Sequence, residues 1–273
     1  MIISGSANAA LPVPAENPNT TGLSTPARFA AKFCSPPTEP TWSSLGATSE
    51  GSDQIEAAAT ATRRIVFAEG EDERVLRAAN AMLEETTDVP ILIGRPEVIA
   101  MRAERAGLPI RPERDFEIVN PENDPRYRDY WETYHQLMAR RGVSPDIARA
   151  IMRTNTTAIA AVMVHRAEAD SLICGTFGQY SWHLRYIREI LARDGLNPVG
   201  ALSMIILEDG PLFIADTQVN NHPTPEQIAL SAIGAARHVR RFGLVPHVAL
   251  CSHSQFGNLD TDSGRRMRAA MQI

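Results

Sequence analysis

The sequence predicts an α/β protein in which a parallel sheet carries helices on its faces. Short apolar runs at 64–68, 89–93 and 116–119 alternate with longer segments whose apolar residues recur at helical spacing. Turns rich in Gly, Pro, Asn and Asp separate these segments. Strands and helices that alternate at this rhythm form crossover units, which place successive strands parallel to one another.

Each early element has a local signal. Glu69-Gly-Glu-Asp72 turns the first strand into a helix that carries Val75, Leu76 and Ala79 on one face. Gly94 and Pro96 lead from the second strand into a helix that ends at Gly107. These signals predict two successive strand–helix units, followed by the strand at 116–119.

The middle of the chain is mostly helical. An aromatic face predicts a helix over 127–141, and Ser144 followed by Pro145 has the pattern of a helix cap. An Ala-rich helix is predicted over 154–166. The apolar run at 169–174 then predicts a buried parallel strand.

The stretch after this strand is the first candidate site. Gly175 and Gly178 free the backbone, and 179–191 is predicted to be a helix that carries Arg185 and Arg188. A strand, a glycine turn and a helix N-terminus together form the edge at which open α/β sheets bind anions. Such a turn also needs glycine for purely steric reasons. The pattern alone therefore does not decide between an anion site and a structural turn.

The last part of the chain has its own pattern. Runs at 201–207 and 211–216 predict a hairpin. Thr224, Pro225 and Gln227 predict a capped helix start, and 245–251 predicts a strand followed by the polar turn 252–257. We therefore expect a first domain over 63–197 and a partial second domain over 198–273. Residues 1–62, rich in Ala, Ser, Thr and Pro, are predicted to be a disordered tail or linker.

Composition excludes several classes of function. A net charge of −5 without a long basic run argues against nucleic acid as a partner, and no apolar run approaches the length of a membrane helix. Three cysteines without a CxxC pair argue against a disulfide scaffold or a zinc site and favour the cytoplasm, so no metal is expected. Cys174 and Cys251 end apolar runs, which predicts that both are buried.

The sequence lacks the common catalytic motifs and retains one candidate anion-binding site. The chain has no P-loop, dinucleotide fingerprint, zincin or α/β-hydrolase motif. Ser252, His253 and Asp216 are a weak candidate for a triad, because adjacent Ser and His side chains point apart. Two strand-end turns instead offer N–H groups, hydroxyls and a guanidinium that suit phosphates or acyl phosphates. The predicted ligand-binding residues are Thr176, Ser181, Arg185, Ser252, Ser254 and Gly257.

Five blocks of sequence resemble the phosphate acetyl/butyryl transferase family. They are RIVFAEGEDERVLRAA, the long block from VNPENDPRYRDYW to MRTNTT, EADSLICG, LFIADTQVNNHPTPEQIA and VALCSHSQFGNLDTDSGRRMRAA. The likeness covers about 63–273. DYWETYH and GQYSWHLRYIR are closest to the phosphotransacetylase-like C-terminal domain of multidomain NADP-dependent malic enzymes. The chain departs from stand-alone transferases where Tyr186 replaces a proline after Arg185.

The resemblance implies two three-layer αβα domains with mainly parallel sheets, as in phosphotransacetylase and isocitrate dehydrogenase, with an active cleft between them in a homo-oligomer. It implies acyl transfer between acyl phosphate and coenzyme A, with CoA or acetyl-CoA as substrate or effector and no permanently bound cofactor. By position, Arg185 matches an anion-binding arginine, and Ser252 and Ser254 match serines of the strand-end turn. The catalytic residues are unknown, because the family's closing Asn-Asp-Leu-Ser-Arg-Gly motif and its aspartate are expected beyond Ile273. On this ground the fold is expected to be C-terminally incomplete and the transfer activity residual.

The malic-enzyme branch implies a second function. There, the phosphotransacetylase-like domain is a non-catalytic acetyl-CoA-binding, regulatory and oligomerising unit joined to a malic enzyme catalytic domain. Residues 1–62 contain no nucleotide-binding pattern, so we expect no malate oxidation by this chain itself.

Overall fold

The computed structural model describes residues 2–6, 62–112, 114–192, 199–207, 210–254 and 258–273. These residues fall into two compact units. One contains Gly200–Ile273 and the strand Ile2–Ser6 (β1), and the other contains 62–199. The prediction of disorder over 1–62 is therefore wrong for Ile2–Ser6, whose backbone pairs with strands far along the chain. Residues 1 and 7–61 of that prediction lie outside the described residues.

The unit at 62–199 is built on a four-stranded sheet. Its strands are β2 (Arg64–Phe67), β3 (Val89–Ile93), β4 (Glu117–Val119) and β5 (Ser171–Ile173). They lie in the order β4-β3-β2-β5, and every neighbouring pair is parallel. This confirms the predicted α/β class with a parallel sheet.

Six α-helices connect or flank these strands in the part of this unit that the structure describes. They are α1 (Glu73–Glu85), α2 (Pro96–Arg105), α3 (Tyr127–Met138), α4 (Pro145–Thr154), α5 (Thr156–His165) and α6 (Tyr180–Leu191). Ser144 caps α4 as predicted. The predicted helix 154–166 is separated from α4 by Asn155, whose side chain accepts a hydrogen bond from the Ala158 N–H and so caps a new helix.

Alternation along the strands sends side chains to both faces of this sheet. Val66 and Ile91 pack on the face that Ala-rich α5 and the aromatic helix α3 cover. Phe67 and Leu92 pack on the opposite face, against α1 and α2. Each face therefore has its own apolar core, and this unit has three layers.

Strand β5 is less buried than its sequence predicts. It is the edge strand of the sheet, pairing with β2 on one side, and Ile173 is 48% exposed. The prediction of a buried strand over 169–174 is therefore wrong at its end, although Ala169 is buried. An apolar run alone does not distinguish a central strand from an edge strand.

The second unit contains an antiparallel sheet. Its other strands are β6 (Leu202–Leu207), β7 (Gly210–Ala215) and β8 (Val245–Ala249). The order is β6-β7-β1-β8 and all three described pairings are antiparallel. The predicted hairpin is confirmed, whereas the expectation of a mainly parallel sheet is wrong for the described strands of this unit.

Two helices of the second unit begin at capping residues, and the start of the first was predicted. Helix α7 (Pro225–Arg240) starts with a capping box, in which Thr224 and Gln227 each bond the other's backbone N–H. Its buried Ala235 and Val239 pack against Phe213 of β7. Helix α8 (Asp262–Ala270) is capped by Thr261. The sheet therefore packs a helix on at least one face.

A cavity and a turn at the carboxyl edge of the parallel sheet

The sheet of the 62–199 unit has a topological switch point beside β2. From β2 the chain moves to β3 and β4 on one side, whereas β5 lies on the other side. Open α/β sheets bind ligands in the crevice that this reversal leaves outside the carboxyl ends of the strands. A cavity of 430 Å³ lies at this edge, lined by the ends of β2 and β3 and by Phe177 of the turn after β5. Its volume is in the range of small-molecule sites.

Three helices begin at this cavity. Asp72 is the N-cap of α1, Arg95 is the N-cap of α2, and Thr156 is the first residue of α5; all three line the wall. Helix N-termini carry partial positive charge and unpaired N–H groups. Their convergence follows from the fold, because each of these helices leaves the same edge of the sheet.

The cavity wall carries charges of both signs, and several are paired. The Arg95 guanidinium makes two hydrogen bonds of 2.9 Å to the Glu71 carboxylate, which lower the pKa of Glu71. Arg74 bonds the carboxylate of Asp72 and holds the pKa of Asp72 at about 2. Glu69 and Glu122 also line the wall, so its acidic residues and its arginines nearly balance.

Two guanidinium groups of the wall are held by main-chain carbonyls. Arg102 of α2 donates to the Glu71 carbonyl, and Arg153 of α4 donates to the Glu122 carbonyl. Arg153 also stacks 4.0 Å above the centre of the Tyr127 ring. Neither forms a salt bridge with any residue of the chain that the structure describes. Each guanidinium is therefore fixed in place with donors left over.

The turn between β5 and α6, residues 174–179, borders the same edge. Gly175 and Gly178 have φ of +101° and +90°, where other residues are strained. Glu69 receives the Gly175 N–H on both carboxylate oxygens at 3.1 Å. Arg74 donates to the Thr176 carbonyl at 2.7 Å, and the His183 Nε2 lies 2.7 Å from the Phe177 carbonyl. Three consecutive residues of the turn are thus held through their main chain.

Beneath the turn lies a buried polar cluster. Glu69 and His183 are only 5% and 4% exposed, and Thr157 is fully buried. The Thr157 hydroxyl lies 2.8 Å from the His183 Nδ1.

Burial, together with the nearby Glu69 charge, raises the pKa of the Cys174 thiol to about 11. Cys174 is half-buried, but Cys251 is exposed, so the prediction that both are buried is wrong for Cys251.

None of the predicted residues of this turn and of α6 lines the cavity. The Thr176 Oγ1 is buried and has no hydrogen bond of normal geometry to a described residue, although it contributes slightly to the low pKa of Asp72. Ser181 is exposed in the first turn of α6. The Arg185 side chain is 59% exposed and bonds Glu189 at 2.9 Å, which raises its pKa. The Glu189 side chain is only 15% exposed and also accepts a hydrogen bond from the Tyr134 hydroxyl.

The predicted residues of the second unit form a separate turn. The hydroxyls of Ser252 and Ser254 lie 3.0 Å apart, and the Ser254 N–H bonds the Ser252 hydroxyl. His253 bonds the Ser263 hydroxyl instead of Ser252, which removes the weak triad candidate. Gly257 lies outside the described residues. The two turns belong to different units.

Sequence reasoning missed four residues of the cavity and turn. Arg102 has the sequence context of a cation in the last turn of a helix, and Arg153 that of a solvent-exposed arginine. Glu69 was visible only as part of a turn into a helix, and His183 only as a helix residue. The position of Glu69 directly after a buried strand was the one local signal for it, because that position lies at the carboxyl edge of the sheet.

The parallel sheet with helices on both faces defines a protein of the doubly wound α/β class, and comparison with known proteins identifies the family. The family described as Phosphate acetyl/butaryl transferase matches residues 52–273. The chain belongs to this family, which confirms the resemblance seen in the sequence.

Two curated relatives represent the branches of this likeness. The NAD-dependent malic enzyme of Rhizobium meliloti is 54% identical over 214 residues, which cover 78% of this chain and 28% of that protein. The Phosphate acetyltransferase of Nitratidesulfovibrio vulgaris is 32% identical over 201 residues, covering 73% of this chain and 28% of that protein. The chain therefore spans little more than a quarter of the length of each of these relatives.

A solved structure shares the fold. A phosphotransacetylase from Streptococcus pyogenes superposes with a TM-score of 0.74 at 22% identity, covering 86% of this chain and 69% of that chain. The likeness supports the α/β fold.

The described residues lack two further features. None of the helices that the structure describes is long and apolar enough to cross a membrane. Among the same residues, no group of His, Cys, Asp and Glu could hold a metal ion.

Proposed function

We propose that this chain is an acyltransferase-family domain that binds acetyl-CoA or acetyl phosphate and retains residual transfer of acyl groups between phosphate and coenzyme A. The carrying observation is the pair Arg102 and Arg153, two anchored guanidinium groups with spare donors on one cavity at the switch point. Family membership supports the ligand class. Location in the cytoplasm and assembly into a homo-oligomer belong to the same proposal.

The ligand's anionic group would bind these guanidiniums by charge-assisted hydrogen bonds. Because the wall is close to neutral, recognition would depend on where the guanidiniums lie and less on the overall potential. The N-termini of α1, α2 and α5 would add donors at the same place. Thr176, Ser181 and Arg185, which lie on or just after the adjoining turn, stay predicted ligand-binding residues. Ser252, Ser254 and Gly257 stay predictions for the second unit.

Isothermal titration of the full chain with acetyl-CoA, acetyl phosphate and inorganic phosphate tests this proposal. We expect saturable heat with at least one of the first two ligands. Arg102→Gln and Arg153→Gln should each weaken binding about tenfold, the loss of one charge-assisted hydrogen bond. The matched controls are Arg105→Gln, one turn along α2, and Arg149→Gln, one turn earlier on α4, neither of which lines the cavity. No heat from folded wild-type protein, or equal losses in the controls, would refute the proposal.

A second candidate function is a non-catalytic regulatory and oligomerising domain of a malic enzyme. The higher identity to the malic enzyme than to the phosphate acetyltransferase favours it. An assay of acetyl exchange between acetyl phosphate and CoA separates the two functions. Turnover by the isolated chain would support the transferase, whereas acetyl-CoA binding without turnover would support the regulatory domain.

A further inference from the structure

The turn that follows β5 does not hold itself in place. Among its residues and their described neighbours, the N–H of Gly175 and the carbonyls of Thr176 and Phe177 make no main-chain hydrogen bond. Two of its residues have positive φ, so local preferences do not fix its shape. Their partners are side chains from outside the turn: Glu69 of the loop after β2, Arg74 of α1 and His183 of α6. The shape of the turn therefore depends on those side chains.

The hydrogen bonds fix the tautomer of His183. The Phe177 carbonyl can only accept, so the His183 Nε2 must carry a hydrogen. In the neutral ring Nδ1 is then an acceptor, and the Thr157 hydroxyl at 2.8 Å donates to it. Thr157 thus orients His183, and His183 in turn holds the turn. Both side chains are buried, which makes these hydrogen bonds costly to lose.

Glu69 acts on the other end of the turn. Its two oxygens share the Gly175 N–H, and its Oε1 lies 3.8 Å from the His183 Nδ1. A buried carboxylate needs such donors, because its charge is costly away from water. Glu69 also lines the cavity, so the same side chain connects the cavity wall to the turn.

We infer that Glu69 and His183 are positioning residues for the proposed ligand site. They hold the main chain of 175–177 beside the cavity, so that Phe177, which is 60% exposed, stays at its rim. The exposed Arg74 bond to Thr176 adds a third, weaker attachment. This inference rests on the proposed function, because it assigns the network to the same ligand.

Two substitutions of His183 separate positioning from simple packing. Gln places an amide N–H near the Nε2 position and keeps the bond to the Phe177 carbonyl, whereas Asn reaches only the Nδ1 position near Thr157. Both remove the ring. We expect His183→Asn to weaken acetyl-CoA binding about two- to tenfold, the value of one hydrogen bond, and His183→Gln to stay within about twofold of wild type. Hydrogen exchange should be faster in the 174–179 segment of the Asn variant than in the Gln variant.

Thr157→Val and Glu69→Gln provide milder variants if His183→Asn fails to fold. Thr157→Val keeps the side-chain shape and removes the donor to Nδ1, and Glu69→Gln keeps one acceptor for the Gly175 N–H. Each should speed hydrogen exchange in 174–179 and weaken acetyl-CoA binding. The loss of unfolding free energy should be smaller than the loss of binding free energy. Equal affinity and equal exchange in the Asn and Gln variants would overturn the inference. Absence of binding by wild type would instead overturn the proposed function, so the two failures are distinct.

Discussion

At the switch point, burial and a few neighbouring charged or hydrogen-bonding groups determine the pKa values of individual side chains. Cys174 is an example. Burial is the main cause that raises the pKa of its thiol to about 11, and the charge of Glu69 is the second. The exposed Cys251 lies in the other unit. Both cysteines end apolar runs in the sequence, so their different exposure is a product of tertiary structure.

This difference predicts unequal thiol reactivity. At pH 8 a thiol with a pKa of about 11 is roughly one thousandth thiolate, so Cys174 should resist iodoacetamide. Peptide mapping after brief alkylation should find Cys251 modified and Cys174 unmodified. Glu69→Gln removes one cause of the raised pKa and should speed the labelling of Cys174. Equal labelling of Cys174 and Cys251 in the wild-type protein would contradict the burial assigned to Cys174.

At the scale of elements, the start of α1 joins local capping to the cavity. The Asp72 carboxylate accepts the Arg74 N–H as an N-cap and pairs with the Arg74 guanidinium. The hydrogen bond from Arg74 is the main cause of its pKa of about 2, below the ordinary 3.8. A depressed pKa means that the folded state favours the charged carboxylate. Its contribution is present above about pH 4 and is lost as the pH falls towards 2.

Substitutions of Asp72 test this element. Asp72→Ala removes the cap and should lower the free energy of unfolding by about 1 kcal/mol at pH 7. Asp72→Asn keeps the cap and loses only the charge, so it should cost less. Urea unfolding at pH 6 and pH 3 should show the gap between wild type and Asp72→Asn shrinking at the lower pH. A gap that grows at pH 3 would have the wrong sign for a depressed pKa.

The β5–α6 turn gives a second prediction at this scale. Gly178 has φ of +90°, and a Cβ there would lie 3.1 Å from the His183 Nε2. Gly142 has φ of +84° and no atom within 4 Å of such a Cβ, so it controls for backbone strain alone. Both Ala substitutions should cost about 1 kcal/mol or more in stability. Only Gly178→Ala should also loosen 174–179 in hydrogen exchange, and indistinguishable exchange in the two variants would count against the His183 contact.

At the scale of the whole molecule, sequence reasoning recovered what local patterns encode. Strand 89–93 was predicted with its observed bounds, and the Ser144 and Thr224 caps were predicted because capping involves residues within one turn. The strand Ile2–Ser6 was missed, because its pairing with β7 and β8 joins residues more than 200 positions apart. The hairpin β6–β7 of the same sheet was predicted, because its two strands are adjacent in the sequence.

The turn after β5 was predicted from the sequence, whereas the residues that line the neighbouring cavity were not. The strand–glycine–helix pattern located the turn, since that pattern is contiguous in sequence. Arg102 and Arg153 are 51 positions apart in the sequence and lie on different helices. Their local sequence does not distinguish them from solvent-exposed arginines. Glu69 and His183 meet only because β2 and β5 are neighbours in the sheet. Such residues become visible only when the strand order is known.

The most direct test of the central claim is a hydrogen-exchange footprint of acetyl-CoA on the full chain. The account predicts that saturating acetyl-CoA slows exchange in the turn 174–179 and in the segments around Glu71 and Arg95 at the cavity. The segment 132–141, none of whose residues lines the cavity, should exchange at an unchanged rate and serves as the internal control. Binding heat in titration without any protection of the turn or the cavity segments would contradict the claim.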